Sequence, residues 1–153
     1  MRSCGTCSLC CKLLGILELE KPQGQWCPHC KPGKERCTIY ETRPDTCRTF
    51  NCAWLVNESV DDRWYPEKCK MVINMNVDSE IHLLQIYVDP SNRMGWTKEP
   101  YYSQIKSLAK NGIDGINGEF YRTEVRLISP KKVYTILPDK DVECPASNGT
   151  TEL

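Results

Sequence analysis

The chain contains few residues of the type that hydrolytic metal sites need. It has two histidines, His29 and His82, among 153 residues. Zinc sites that hydrolyse a substrate usually combine histidine or carboxylate ligands with a general base close to the bound water. We interpret His29 as a spacer inside a Cys-x2-Cys pair and His82 as a structural residue of an apolar strand. The composition therefore argues against a zinc hydrolase.

The sequence also lacks the short motifs that identify common enzyme classes. It contains no glycine-rich phosphate loop, no serine-triad motif and no dinucleotide fingerprint. No substrate class follows from cofactor motifs, and the sequence leaves open whether the protein is an enzyme.

Neither a net charge nor a long apolar run is present. Twenty Lys and Arg balance twenty Asp and Glu, so the chain lacks the broad positive field that binds nucleic acid or anionic lipid. No apolar run approaches the roughly 20 residues of a membrane span, and the start Met1–Cys4 lacks the apolar core of a signal peptide. We expect a cytoplasmic protein that binds neither nucleic acid nor a membrane.

Cysteine, in contrast, is abundant and concentrated. Nine of the eleven cysteines lie between Cys4 and Cys52, and only Cys69 and Cys144 lie outside that region. The odd count and the expected reducing compartment favour metal binding over disulfide bonds. Residues 1–55 are poor in Leu, Val and Ile, whereas structural zinc can contribute on the order of 10 kcal/mol to folding. We expect metal to be part of the fold there, Cys69 to be a core residue and Cys144 a free thiol.

The first cysteine cluster, Cys4-x2-Cys7-x2-Cys10-Cys11, places four soft ligands within eight residues. If this segment is helical, Cys4, Cys7 and Cys11 share one face within about 60°, and Cys10 points away. If it is a loop, Cys4, Cys7 and Cys10 have the spacing of a ferredoxin triad, which needs a remote fourth thiolate to bind a [4Fe–4S] cluster. The sequence allows both geometries.

Two further clusters complete the set of candidate ligands. Cys27-Pro28-His29-Cys30 is a Cys-x2-Cys chelate, and the third cluster consists of Cys37, Cys47 and Cys52. The candidate metal ligands are therefore Cys4, Cys7, Cys10, Cys11, Cys27, Cys30, Cys37, Cys47 and Cys52.

Basic residues are placed close to these cysteines. Eight thiolates around two Zn²⁺ ions would carry a charge of about −4, and residues 1–55 contain eight Lys and Arg against five Asp and Glu. Arg43 and Arg48 flank Cys47, and we expect their guanidinium groups to donate hydrogen bonds to metal-bound sulfur.

The opening Cys4-x2-Cys7-x2-Cys10-Cys11, followed by Cys37-x-Ile-Tyr-Glu-x-Arg-Pro-x2-Cys47-Arg-x-Phe-x-Cys52-x-Trp54, closely resembles the YkgJ-type cysteine-cluster family. That family is a zinc- or iron-chelating domain. The resemblance covers residues 4–54 firmly and the rest of the chain loosely, and it implies eight ligands, with Cys30 as an addition to the pattern. The implied ligands are Cys4, Cys7, Cys10, Cys11, Cys27, Cys37, Cys47 and Cys52.

The second half of the chain has the pattern of an ordinary small domain. Alternating apolar residues predict strands at about 70–77 and 81–88, separated by Asp78-Ser79-Glu80, and further strands at about 123–128 and 133–137. Pro100 and Asn111-Gly112 bound a predicted amphipathic helix over about 100–111. A polar, flexible tail is expected over 139–153.

We therefore predict an α+β fold with a metal-organised lobe over residues 1–55 and an α+β lobe over 56–138. The cysteine-rich lobe is expected to pack on a small antiparallel sheet with one amphipathic helix. The function that the sequence favours is metal binding, with about two Zn²⁺ ions held by thiolates. The alternative is an iron–sulfur protein, with a cluster such as [4Fe–4S], that has an electron-transfer or redox-linked role. A link to methyl transfer is an analogy with much longer relatives in that family, the flagellin lysine N-methylases. Metal ions are the expected partners, and no protein partner is identified.

Overall fold

A computed structural model describes residues 2–33, 36–77, 81–114 and 120–145 of the chain. The fold is mixed α+β, which confirms the predicted class. The helices are α1 (Cys10–Leu13), α2 (Asp45–Thr49), α3 (Ala53–Val56), α4 (Pro66–Cys69) and α5 (Tyr101–Asn111). The strands are β1 (Cys30–Lys31), β2 (Arg36–Cys37), β3 (Met71–Val77), β4 (Ile81–Val88), β5 (Ile113–Asp114), β6 (Phe120–Ile128), β7 (Lys132–Ile136) and β8 (Asp141–Pro145). Short 3-10 turns lie at Leu17–Leu19, Tyr40–Thr42, Asp62–Trp64, Pro90–Asn92 and Gly95–Thr97.

The main sheet has the strand order β3-β4-β6-β7-β8, and β5 pairs with β6 outside this order. Strands β3 and β4 are antiparallel from Met71 opposite Val88 to Val77 opposite His82. The turn expected at Asp78-Ser79-Glu80 lies outside the described residues.

The expectation of an antiparallel sheet is wrong at one pair of strands. β4 and β6 run parallel, with Leu84 opposite Val125, so the sheet is mixed. A parallel pair requires a long crossover connection, usually one that contains a helix. Helix α5 lies in the connection between these two strands and makes this geometry possible.

The expectation of a tail from residue 139 is also wrong for part of its length. Asp141–Pro145 forms the edge strand β8, which pairs antiparallel with β7. Charged contacts hold it: Lys132 Nζ lies 2.7 Å from Glu143 Oε1, and the Tyr102 hydroxyl donates to Asp141 Oδ2 at 2.8 Å. An edge strand needs no apolar face, so its polar sequence looked like a tail. Residues 146–153 lie outside the described part of the chain.

Each face of the sheet is covered by a different part of the molecule. Leu84, Ile86 and Val125 point to one face and pack with Ile105 of α5. Their neighbours Val72, Tyr87 and Ile128 point to the opposite face, where they pack with Leu9, Leu13, Leu14 and Ile16. The alternation of side chains along a strand produces this division. The cysteine-rich segment therefore packs on the sheet through the leucines around its first cluster.

No helix within the described residues is long and apolar enough to cross a membrane.

Candidate metal centre

The opening cysteine motif combines a turn with a helix. The amide of Cys7 donates to the carbonyl of Cys4 at 2.9 Å, and α1 begins at Cys10. The two geometries that the sequence allowed therefore occur one after the other. Cys4 and Cys7 therefore belong to the turn, and Cys10 and Cys11 to the helix.

Three of the candidate ligands lie together where the N-terminus meets the residues around α3. We call Cys4, Cys7 and Cys52 the first thiol group. Burial raises the pKa of Cys7 and of Cys52, and the negative charge of Cys4 raises both further. The Cys7 thiol has the same effect on Cys52, so the three sulfur atoms are close enough to interact electrostatically.

Backbone amides face the sulfur atoms of this group. The amides of Leu9 and Glu67 point at Cys7, and those of Trp54 and Leu55 point at Cys52, and each of them lowers the thiol pKa against the effect of burial. An N–H group that points at sulfur stabilises the thiolate form, which is the form that binds metal.

Hydrogen bonds from the side chains of Arg2 and Tyr65 connect the segments that carry this group. The Arg2 guanidinium donates to the carbonyls of Trp54 at 2.7 Å, Asn57 at 3.0 Å and Val60 at 2.6 Å. The Tyr65 hydroxyl donates to the carbonyl of Cys4 at 2.8 Å. These contacts bring the start of the chain next to the segment that follows Cys52.

The other six candidate ligands lie around α1 and the hairpin formed by β1 and β2. We call them the second thiol group: Cys10, Cys11, Cys27, Cys30, Cys37 and Cys47. The Cys27 amide donates to the carbonyl of Cys11 at 3.0 Å, and Cys30 is the cross-strand partner of Cys37. Backbone pairing thus assembles residues that are far apart in sequence.

Burial and neighbouring thiols raise the thiol pKa values further in the second group than in the first. A hydrogen bond to Cys10 is the main reason that the pKa of Cys11 is raised, and burial adds to it. Burial and the charge of Cys11 raise the pKa of Cys30 to about 12. Burial and the charges of Cys11, Cys27 and Cys37 raise that of Cys47 to about 11. Neighbouring thiolates repel one another, so these thiols stay protonated in the absence of a cation. A bound metal cation would favour their ionised form.

A buried lysine beside the second group is the residue that sequence reasoning missed. Lys21 is 5% exposed. Its ammonium donates to the carbonyl of Lys12 at 2.6 Å and to that of Leu14. Burial lowers its pKa to about 8, while the charges of Cys27, Cys11, Cys10 and Cys47 act in the opposite direction. In the sequence Lys21 begins a Lys-Pro-Gln-Gly turn, a position where lysine is usually solvated, so no signal marked it.

The two predicted arginines donate to backbone carbonyls of the segment around Cys47, where Arg43 is half-buried and Arg48 is exposed. Arg43 lies over the Tyr40 ring at 3.7 Å and donates to the Tyr40 carbonyl at 2.8 Å. Arg48 donates to the carbonyls of Glu41 and Arg43 at 3.4 Å. The role expected for both arginines as donors to sulfur stays a prediction.

The remaining cysteines and His29 have other environments. Cys69 is 3% exposed within the core, as expected, and its thiol donates to the Met71 carbonyl at 3.4 Å. Cys144 is exposed on β8. The carbonyl of His29 accepts the amide and the hydroxyl of Thr38, both at 2.8 Å, so its backbone supports the hairpin.

The donor chemistry of the two groups suits a thiophilic metal, although the side chains do not converge fully. All eleven cysteines are free thiols. Among the described residues, no group of three or more His, Cys, Asp or Glu side chains is arranged so that it could hold a metal ion. A soft cation such as Zn²⁺ prefers thiolates, so the residue types fit, and binding would require the thiols to turn toward a common centre.

A cleft of about 240 Å³ is lined by sequence neighbours of both groups. Thr6 and Glu67 line it next to Cys7, and Trp26 lines it next to Cys27. Between them Lys12 forms an ion pair with the buried carboxylate of Asp89 at 2.8 Å.

Comparisons with protein-family models, with curated proteins and with solved structures found no match for this chain. The eleven cysteines and the closeness of several of them are compatible with metal binding.

Proposed function

We propose that the protein binds metal through the nine cysteines between Cys4 and Cys52, at two separate places, and that the metal stabilises the N-terminal lobe. The observation that carries this proposal is that these nine cysteines are free thiols, several of them close enough to raise one another's pKa values. The resemblance of the two cysteine motifs to the YkgJ-type family supports the same chemistry.

Zinc is the metal we favour. The second thiol group has more than the four thiolates of a closed tetrahedral site, and Lys21 supplies a nearby positive charge. The alternative, a [4Fe–4S] cluster built on the triad of Cys4, Cys7 and Cys10, would need Cys7 and Cys10 at one centre. Because α1 begins at Cys10 while Cys7 lies in the turn before it, we favour separate sites for these two residues over such a cluster.

The proposal includes the cytoplasm as the compartment, because nine clustered thiols stay free and available to metal only where the surroundings are reducing. It assigns no reaction to the protein. The bound metal acts on the fold of the lobe and on the surface that the lobe presents.

Metal and sulfide analysis of the full chain, purified without oxygen from cells supplied with zinc and iron, tests the proposal. We expect a colourless protein with at least two zinc ions per chain. Iron with equimolar sulfide and absorption near about 400 nm would favour the iron–sulfur alternative. A folded protein that contains neither metal would overturn the proposed function.

A further inference from the structure

The hairpin of β1 and β2 places two cysteines of the second thiol group opposite each other. Cys30 on β1 is the cross-strand partner of Cys37 on β2. Beside this pair, the amide and the hydroxyl of Thr38 both donate to the carbonyl of His29 at 2.8 Å. Hydrogen-bonded and non-hydrogen-bonded pairs alternate along an antiparallel ladder. Because His29 and Thr38 are hydrogen-bonded, Cys30 and Cys37 form a pair of the closer, non-hydrogen-bonded type.

The spacing of such a pair suits a disulfide bond. In a non-hydrogen-bonded pair the Cα atoms are about 4.5 Å apart, and the two side chains lie on the same side of the ladder. Cysteines joined by a disulfide have Cα atoms about 4.4–6.8 Å apart. In the reduced chain the Cys30 thiol shares a hydrogen bond with Cys11. Rotation about the Cα–Cβ bond of Cys30 directs its sulfur to Cys37 instead, so the backbone of the hairpin does not have to move.

Contacts outside the hairpin hold both of its strands. The Cys30 amide donates to the carbonyl of Cys27 at 3.0 Å, and the Cys27 amide donates to the carbonyl of Cys11 at 3.0 Å. On the other strand, the Arg36 guanidinium donates to the carbonyl of Gly5. Both strands are therefore attached to the opening cysteine segment. The register that opposes the two cysteines does not depend on the ladder of two residue pairs alone.

The second thiol group also has two members more than one closed site needs. It contains six cysteines, whereas structural zinc takes four ligands. Cys30 is the cysteine that stands outside the ligand set implied by the YkgJ-type resemblance. When Cys30 and Cys37 are set aside, four thiols remain for a metal ion: Cys10, Cys11, Cys27 and Cys47.

We propose that Cys30 and Cys37 form a reversible cross-strand disulfide, which withdraws both thiols from the second group and leaves four for metal. The disulfide rests on the hairpin, and its consequence for the metal rests on the proposed function. Disulfides in reducing compartments are usually transient and redox-sensing. A small thiol such as glutathione reduces the bond and is itself oxidised to its own disulfide, which returns both cysteines to thiols.

Hydrogen peroxide is the oxidant for the forward step. Cys37 is half-buried and Cys30 is 9% exposed, and exposed thiols are oxidised more readily. The O–O bond breaks as oxygen joins the Cys37 sulfur, which gives a sulfenic acid and one water. The Cys30 sulfur then attacks this sulfur, the S–S bond forms, the S–O bond breaks, and a second water leaves with the Cys30 proton. Two thiols and one peroxide thus become one disulfide and two waters.

Peroxide treatment of the full chain, purified without oxygen, tests the pairing. An equimolar amount of hydrogen peroxide is added to the wild type and to Cys30→Ser, Cys37→Ser and Cys144→Ser variants. The remaining thiols are then alkylated, and disulfides are located by mass-spectrometric fragmentation of the linked peptides. Cys144 is the control, since its thiol is exposed on β8, away from the hairpin.

We expect a Cys30–Cys37 linkage in the wild type and in Cys144→Ser, and glutathione should remove it. The Cys30→Ser and Cys37→Ser variants should form at least about tenfold less disulfide, because each lacks one of the two sulfur atoms. Zinc bound by the second group should stay bound while the disulfide forms, since four thiols remain there.

The outcomes separate this inference from the metal-binding proposal. A wild-type linkage of Cys30 to Cys27 or to Cys11, or no disulfide at all, would overturn the pairing, and this result needs no variant to fold. Release of zinc in step with the disulfide would overturn the assignment of the other four thiols to the metal. Zinc analysis before peroxide is added decides the proposed function separately. A chain without metal would refute metal binding, and a Cys30–Cys37 linkage in that chain would still establish the disulfide.

Discussion

The two faces of the central sheet show two different ways of stabilising a small protein. On one face α5 and its surroundings bury aliphatic side chains completely, among them Leu84, Ile86, Ile105 and Val125 at 0% exposure. On the other face a narrow row of leucines from the cysteine-rich lobe covers Tyr87, and beyond it lie free thiols. The first arrangement is an extensive apolar core, whereas the second is narrower and, on the proposed function, is completed by bound metal.

The same difference is visible in the length of the secondary structure. Strands β4 and β6 have eight and nine residues, while helices α1 to α3 in the lobe have four or five. Helices this short are marginal in water by themselves. The short helices of the lobe therefore need side-chain contacts to stay folded. Cysteine is the residue type most concentrated there.

The largest effect is expected from Cys47→Ser, which removes a member of the second thiol group. We expect loss of bound metal and unfolding of the lobe over residues 1–55, because structural zinc contributes on the order of 10 kcal/mol. Hydrogen exchange should rise in that lobe while β3, β4 and β6 stay protected. Cys144→Ser, which changes an exposed thiol on β8, should leave both metal and protection as in the wild type. Full metal occupancy in Cys47→Ser would remove Cys47 from the ligand set.

The complementary change is Leu84→Ala in the core on the α5 side. Leu84 is 0% exposed, and truncation of a buried leucine lowers the free energy of unfolding by about 2–5 kcal/mol. Urea denaturation of the metal-loaded variant measures this loss, and metal analysis of the folded variant should give the wild-type content. Loss of metal with unchanged stability would contradict the independence of the two faces.

Sequence patterns predicted the regular half of the molecule because its stability comes from burial. The alternation of apolar residues around Met71 and Ile73 predicted β3, because one side of that strand faces the core. Pro100 and Gly112 marked the two ends of α5. The parallel pairing of β4 with β6 is a property of the connection between them. No residue in either strand reports it.

Strand β8 and Lys21 were missed for a different reason. The residues of β8 are largely polar and bond to β7 and α5 from the edge of the sheet, so their pattern resembles that of a tail. The ammonium of Lys21 is buried because the chain folds back at Ile16, which pairs with Lys21 itself. In the cysteine-rich lobe the motif predicts which cysteines are ligands. It does not predict how they divide into two thiol groups, because that depends on the turns of the backbone.

An intermediate effect is expected from Lys21→Gln, which keeps a donor for the carbonyls of Lys12 and Leu14 and removes the charge. The positive charge favours the thiolates of the second group, so we expect zinc affinity there to fall by about 10-fold to 100-fold. Competition with a chelator of known affinity measures the change. Lys131→Gln, at an exposed position in the turn before β7, provides the control. Equal affinities in the two variants would leave Lys21 with a purely structural role.

The smallest effect is expected where the two regions meet, at Tyr87. Its side chain is 1% exposed and its hydroxyl has no hydrogen-bond partner among the described residues. A buried donor without a partner costs about 1–3 kcal/mol, so Tyr87→Phe should raise the unfolding free energy of the metal-loaded protein by about 1 kcal/mol. If chelation unfolds the lobe, as the proposed function implies, this face is uncovered and the variant should equal the wild type in urea denaturation. A loss of stability confined to the loaded protein would show instead that the hydroxyl donates to a thiolate when metal is bound, and that the two regions are coupled through Tyr87.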